Sequence, residues 1–280
     1  MVSQIELTDL LECLQLSPGD GDRTWLGDNL PLGYPRVFGG QVLAQAVTAA
    51  ALAVPGKDVK SLHTVFAREG RSETPLTLRV EPAHAGRTFA SAAVAVSQGE
   101  QTVALATVSL HDGDEAGPEQ QAPAPAAEPP DAAVPLDLGI VPWETRALPG
   151  GDLDDRGAGP AAFAFWMRAP ELPDDRTLHR ALLAHATDLT LIGTALRPFP
   201  GVSQLDAHVT VRTAVTTHTL WFHRPFRLDE WLLLRQESPV AAHGRAYGRG
   251  DVFTATGDLV ASYAQESMVR LPAAEPAATT

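Results

Sequence analysis

The feature that most constrains this chain is a pattern that it contains twice. An Ala-rich helical pattern from Gly40 to Ala53 leads into Leu62-His63-Thr64-Val65-Phe66 and then Pro75-Leu76-Thr77-Leu78-Arg79-Val80. A Gly86-Arg87-Thr88-Phe89 turn follows, and a strand pattern from Thr102 to Leu110 comes after a turn at Gln98-Gly99. The order then repeats: a helical pattern from Asp175 to Leu196, Thr217-His218-Thr219-Leu220-Trp221, and Glu230-Trp231-Leu232-Leu233-Leu234-Arg235. A Gly244-Arg245-Ala246-Tyr247 turn and a strand from Leu259 to Val269 complete the second pass. His63 and His218 lie 155 positions apart and Gly86 and Gly244 158, so one small insertion absorbs the drift. A match at one anchor is cheap; three in the same order indicate a duplicated unit of one helix and an antiparallel sheet. Leu76, Leu78 and Val80 alternate with Thr77 and Arg79, as in a sheet with one covered face. The many alanines of the first helix would let a sheet wrap closely around it.

Composition divides the 280 residues further. From Asp112 to Leu138 the chain is rich in Ala, Pro, Asp and Glu, which supports no packed core and reads as an exposed linker. The expected organisation is one repeat over 1–111, a linker over 112–140, a second repeat over 141–271 and a flexible tail over 272–280, with a loop from Pro149 to Pro160. A net charge of −13 argues against a broad nucleic-acid surface, which needs concentrated Lys and Arg. The single cysteine, Cys13, sits on an apolar helical face and reads as a buried structural thiol. No signal peptide and no membrane-length apolar run is seen, so a cytoplasmic protein without a membrane span is expected. No G-x-S-x-G elbow, Walker A motif, H-E-x-x-H or metal-like histidine spacing occurs.

Asp188 is the most informative residue for chemistry. On a helix its nearest same-face neighbours would be Ala184, His185, Leu191 and Ile192, three of them apolar. A carboxylate so placed needs partners or titrates upward, as a general base does. The alternative is a capping or salt-bridged Asp with His185 as its structural partner. Thr216, Thr217 and Thr219 form a second candidate set, and Gln265, whose buried amide must be satisfied, a third.

Together Arg36-Val37-Phe38-Gly39-Gly40-Gln41-Val42, Trp166-Met167-Arg168, Leu182–Leu191, Trp221-Phe222-His223-Arg224-Pro225-Phe226, Glu230-Trp231-Leu232-Leu233 and Val260–Glu266 resemble the acyl-CoA thioesterase II family, TesB-like double hotdogs. The resemblance implies an α+β fold of two tandem helix-wrapped antiparallel sheets. It implies hydrolysis of acyl-CoA to free fatty acid and CoA by a water held by an Asp, a hydroxyl and a Gln. Asp188 and Gln265 fall on the family's Asp and Gln. The family's hydroxyl position falls on Val215. Strand parity then nominates Thr217 as the replacement, with Thr216 in reserve should a bulge shift the register. Gly39 and Gly40, opening the first helix, would offer amide donors to the substrate. Lys57, Lys60, Arg68 and Arg71 are candidates for the CoA phosphates. No metal or separate cofactor is implied, since coenzyme A is part of the substrate, and a homo-oligomer is expected by resemblance. A hotdog enoyl-CoA hydratase, for which His185 speaks, and a non-catalytic acyl-CoA-binding protein, for which Val215 speaks, are the competing readings.

Overall fold

The computed structural model describes residues 5–113 and 117–271; the expected tail at 272–280 lies outside them. In chain order the elements are α1 (Leu7–Cys13), β1 (Ser17–Pro18), β2 (Thr24–Gly27), α2 (Gly39–Ala53), β3 (Asp58–Phe66), β4 (Leu76–Ala85), β5 (Phe89–Gln98) and β6 (Gln101–His111). These are followed by β7 (Val134–Leu136), β8 (Glu144–Ala147), β9 (Ala162–Arg168), α3 (Arg176–Thr187), α4 (Leu191–Leu196), β10 (Arg212–Phe222), β11 (Leu232–Ala242), β12 (Arg245–Thr254) and β13 (Leu259–Arg270).

The strands form one sheet in the order β1-β2-β4-β5-β6-β3-β10-β13-β12-β11-β9-β8-β7. The central run is nearly symmetric: β4-β5-β6-β3 meets its counterpart β11-β12-β13-β10 read backwards. The two halves join where β3 pairs with β10, Thr64 opposite His218 and His63 opposite Thr219. This is the pair of helix-bearing antiparallel units that the duplication and the double-hotdog resemblance both imply. No helix among the described residues is long and apolar enough to cross a membrane.

The duplication is real, but one of its anchors is not equivalent. His63 is exposed against Trp221, ring centroids 5.5 Å apart, whereas His218 is fully buried on the helix side. Side chains alternate across a strand, so a one-residue offset reverses the face. The shared His-Thr dipeptides are therefore out of phase by one.

Helix α2 is buried on nearly every side, from Gly40 through Val47 and at Ala49 and Ala50. Its two glutamines are used internally. Gln41 accepts from the Leu30 N–H at 3.0 Å, and Gln45 donates to the Cys13 carbonyl at 2.9 Å and the Asp28 carbonyl at 2.8 Å. They satisfy backbone that would otherwise be buried without partners. The Cys13 thiol is buried here, and desolvation first, then the Asp28 charge, pushes its pKa up to about 12.

The acidic, Pro-rich segment is not free. Gln121 donates to the Gly257 carbonyl at 2.7 Å and accepts from the Leu259 N–H at 3.0 Å and Arg224 at 2.8 Å. Trp166 donates to the Glu128 carbonyl at 2.9 Å, and Val134–Leu136 pair as an edge strand with β8. Composition excluded a core of its own; it did not exclude docking on the core next door.

The helices α2 and α3 pack together beneath the joined sheet. Arg180 on α3, 2% exposed, binds both oxygens of Asp58 at the start of β3, at 2.8 and 3.0 Å. Breaking such a pair strands a buried guanidinium, which costs about 3–5 kcal/mol. Asp58→Ala is therefore expected to lower unfolding stability in urea by about 3 kcal/mol; a loss under about 1 kcal/mol, the worth of a surface pair, would refute the assignment.

Candidate functional site

The second helical pattern does not run unbroken to Leu196. Helix α3 stops at Thr187, Asp188 is its C-cap, and α4 begins at Leu191. Asp188 therefore sits at a break, facing the start of α2. Its residue is 4% exposed, its Oδ1 has no hydrogen-bond partner among the described residues, and the Gly40 N–H donates to the carboxylate. Desolvation raises its pKa from 3.8 to about 7, and the Gly40 bond offsets only part of that.

The approach of the two helix ends explains the glycine pair. A Cβ on Gly39 would lie 2.7 Å from Asp188 Oδ2, and one on Gly40 would lie 2.3 Å from the His185 carbonyl oxygen. Neither position has room for a side chain, and the contact sets the positive end of α2 against the carboxylate. Gly39 and Gly40 are at the site, as expected, but the Gly40 amide is spent on Asp188. Gly39, as the first helical residue, has an N–H with no intrahelical acceptor.

Gln265 reaches the same place from β13. It is 2% exposed; its Oε1 is 2.8 Å from His218 Nδ1 and its Nε2 donates to Ser267 Oγ at 3.0 Å. An amide oxygen only accepts, so His218 Nδ1 carries a ring proton; Nε2 lies 3.1 Å from Thr187 Oγ1, whose own hydroxyl donates to the Ala184 carbonyl at 3.1 Å. His218 Nδ1 is also 3.7 Å from Asp188 Oδ1. This is not an ion pair, because burial holds the His218 pKa down at about 4, despite the Gln265 bond, and the ring is neutral. Asp188 and Gln265 thus meet at one nitrogen of a neutral imidazole, which links the end of α3, β10 and β13.

Thr217 is not brought to this pair. The β10–β13 ladder runs in register from Arg212 to Val215, opposite Ser267, then slips so that Thr217 faces Glu266 and His218 faces Gln265. The slip is a β-bulge at Thr216, and it reverses the parity on which Thr217 was chosen. Val215 faces inward and packs against the small apolar cluster that contains Ile192, Leu196 and Val211, while Thr217 and Thr219 line a groove on the outer face with His63, Val65 and Arg79. Thr216 is committed at the bulge, donating to the Glu266 carbonyl at 2.9 Å.

Other sequence candidates also separate. His185 is not the partner of Asp188: its Nε2 lies 2.7 Å from the Ile140 carbonyl and its ring packs edge-on against Phe38. Lys57 donates to the Arg87 carbonyl, just past the far end of α2, and Lys60 follows on early β3. Arg68 and Arg71 are exposed beside the α2 start, where Gly70 bonds Val37 and Arg36 bridges Arg71. The sequence reading missed His218 as a site residue, having taken it as a repeat anchor, and missed Thr187 and Ser267. Ser267 was legible, since it lies two residues past Gln265 and so on the same face.

Comparison with known proteins gives an independent view. Family models described as the acyl-CoA thioesterase N-terminal and C-terminal domains match residues 28–111 and 116–269. The chain is 31% identical to Acyl-CoA thioesterase 2 of Haemophilus influenzae, over 94% of this chain and 98% of that protein. It is similar to the crystal structure of an acyl-CoA thioesterase II, TesB2, from Mycobacterium marinum: 33% identity, TM-score 0.79, covering 94% of this chain and 99% of that one. The tesB protein of Mycobacterium avium subs paratuberculosis superposes with a TM-score of 0.81 at 28% identity, covering 94% and 99%.

The glycine contact can be tested directly. Gly39→Ala should push the carboxylate aside and lower kcat about tenfold or more, while circular dichroism still reports the native fold; unchanged turnover would show that the close approach is dispensable.

Proposed function

The chain belongs to the acyl-CoA thioesterase family, as a TesB-like double-hotdog enzyme, and on that premise we propose that Asp188 is the general base that drives a water into the thioester carbonyl. The observation that carries this reading is a desolvated carboxylate, pKa about 7, that meets the Gln265 amide at His218 Nδ1. A base with a pKa near the working pH is strong enough to take a proton and is still largely ionised.

The steps balance simply. Water donates one proton to the Asp188 carboxylate as its oxygen bonds to the acyl carbon. The carbonyl oxygen becomes an oxyanion, which collapses to break the C–S bond, and the CoA thiolate takes the proton back from Asp188. The products are a free fatty acid and CoA. The Gly39 N–H, at the electropositive start of α2, is suited to the oxyanion. Gln265, anchored by His218 and Ser267, keeps one amide N–H for the water. Arg68 and Arg71, exposed beside the same helix start, are suited to the CoA phosphates, which Lys57 and Lys60 are not.

Asp188→Asn is expected to reduce thiol release from acyl-CoA at least about a hundredfold, and wild-type kcat should rise with pH through a midpoint near 7. An Asn variant with wild-type turnover, or a flat profile between pH 5 and 9, would end the proposal. The same shift has a stability consequence. The folded-state pKa exceeds the unfolded 3.8, so the contribution of the protonated group is lost as pH rises toward about 7. Asp188→Asn should therefore melt at a higher temperature than wild type at pH 8 and at a similar one at pH 4.

A further inference from the structure

We propose that Ser267 carries the hydroxyl that the family motif places at Val215, so that this chain has moved the group across a strand pair instead of losing it. The inference rests on the reading of Asp188 as the base of a bound water.

Val215 and Ser267 are directly opposed in the β10–β13 ladder, in the stretch before the bulge. Both face inward: Val215 packs against the apolar cluster that includes Ile192, and Ser267 is 3% exposed. Directly opposed side chains on one face have Cβ atoms about 4.5–5.5 Å apart, within reach of a hydroxyl from either strand. A hydroxyl on Ser267 thus serves the space that one on residue 215 would serve, approached from β13.

The bonding of Ser267 fits a donor held ready. Its Oγ accepts the Gln265 Nε2–H at 3.0 Å, so its own proton is not used in that bond, and no described residue accepts it. Asp188 Oδ1, also buried, has no partner among the described residues. A buried donor on the Gln265 amide and a buried acceptor 3.7 Å from His218 Nδ1, the nitrogen that Gln265 also holds, suit one water. That water would accept from Ser267 and Gln265 with its two lone pairs, and the O–H electron pair freed as its proton passes to Asp188 would bond the acyl carbon.

The other hydroxyls nearby do not compete on these terms. Thr216 bonds the Glu266 carbonyl and Thr217 lies on the outer face. Thr64 is buried with an unpartnered Oγ1, but it pairs with His218 from β3, and the imidazole stands between it and Gln265.

The test compares full-length wild type, Ser267→Ala, Thr217→Val, and the double variant Val215→Thr with Ser267→Ala, by thiol release from acyl-CoA across pH and by thermal unfolding. Ser267→Ala is expected to lower kcat about tenfold or more with KM within about twofold and the pH midpoint still near 7. Thr217→Val should match wild type. Restoring the hydroxyl on the opposite strand, in the double variant, should recover most of the lost kcat, which a purely structural role for Ser267 would not produce. Wild-type kcat in Ser267→Ala, or a loss that Val215→Thr leaves unrepaired, overturns the proposal. Asp188→Asn separates the two levels: if it is inactive while Ser267→Ala is fully active, only the serine assignment falls, and if Asp188→Asn turns over normally, the base it depends on falls first.

Discussion

The structure turns on one close contact, between the first turn of α2 and the broken end of α3. It shields Asp188 from bulk solvent and gives it a backbone donor, the Gly40 amide. Both effects require glycine at positions 39 and 40, because either side chain would occupy space held by the carboxylate or by the His185 carbonyl. A carboxylate in bulk water would be a weak base at neutral pH; one withdrawn from bulk solvent by burial against a helix start titrates near 7. The contact is intramolecular because both repeats are on one chain, each giving one helix to the joint.

The sheet supplies the other half of the site at the seam between repeats. Thr64, His218 and Gln265 form one rank across β3, β10 and β13, all facing the helices. His218 is the middle of that rank and reaches the end of α3, through Thr187 and, more distantly, Asp188. Its neutrality matters, since a charged imidazole would pair with Asp188 and lower the basicity that burial creates. The burial that raises the carboxylate also lowers the imidazole, so one environment prepares both groups.

The bulge at Thr216 decides which strand side chains join them. Without it, alternation would put Thr217 inward beside Val215 and turn His218 to the outer face. One inserted residue reverses that choice, placing the histidine inward and the threonine in an outer groove beside His63. A polar rank therefore exists in the middle of a strand whose flanking inward residues, Val215 and Leu220, are apolar.

Much of this was readable from the chain itself. Repeated anchors imply two helix-bearing antiparallel units, since an internal copy of a pattern folds as its original does. The Ala-rich run predicts α2 to within one residue, because its pattern is local and strong. An Asp among apolar neighbours, a Gln in a core strand and a Gly-Gly before a helix are local signals too, and the structure brings Asp188, Gln265, Gly39 and Gly40 together. What tertiary structure alone decided are matters of phase and partner. The helix break at Asp188, the opposite faces of His63 and His218, the inward turn of His218 past the bulge and the docking of Gln121 all depend on register between distant segments. A single inserted residue sets that register, and it costs little locally, so nothing in the flanking sequence announces it.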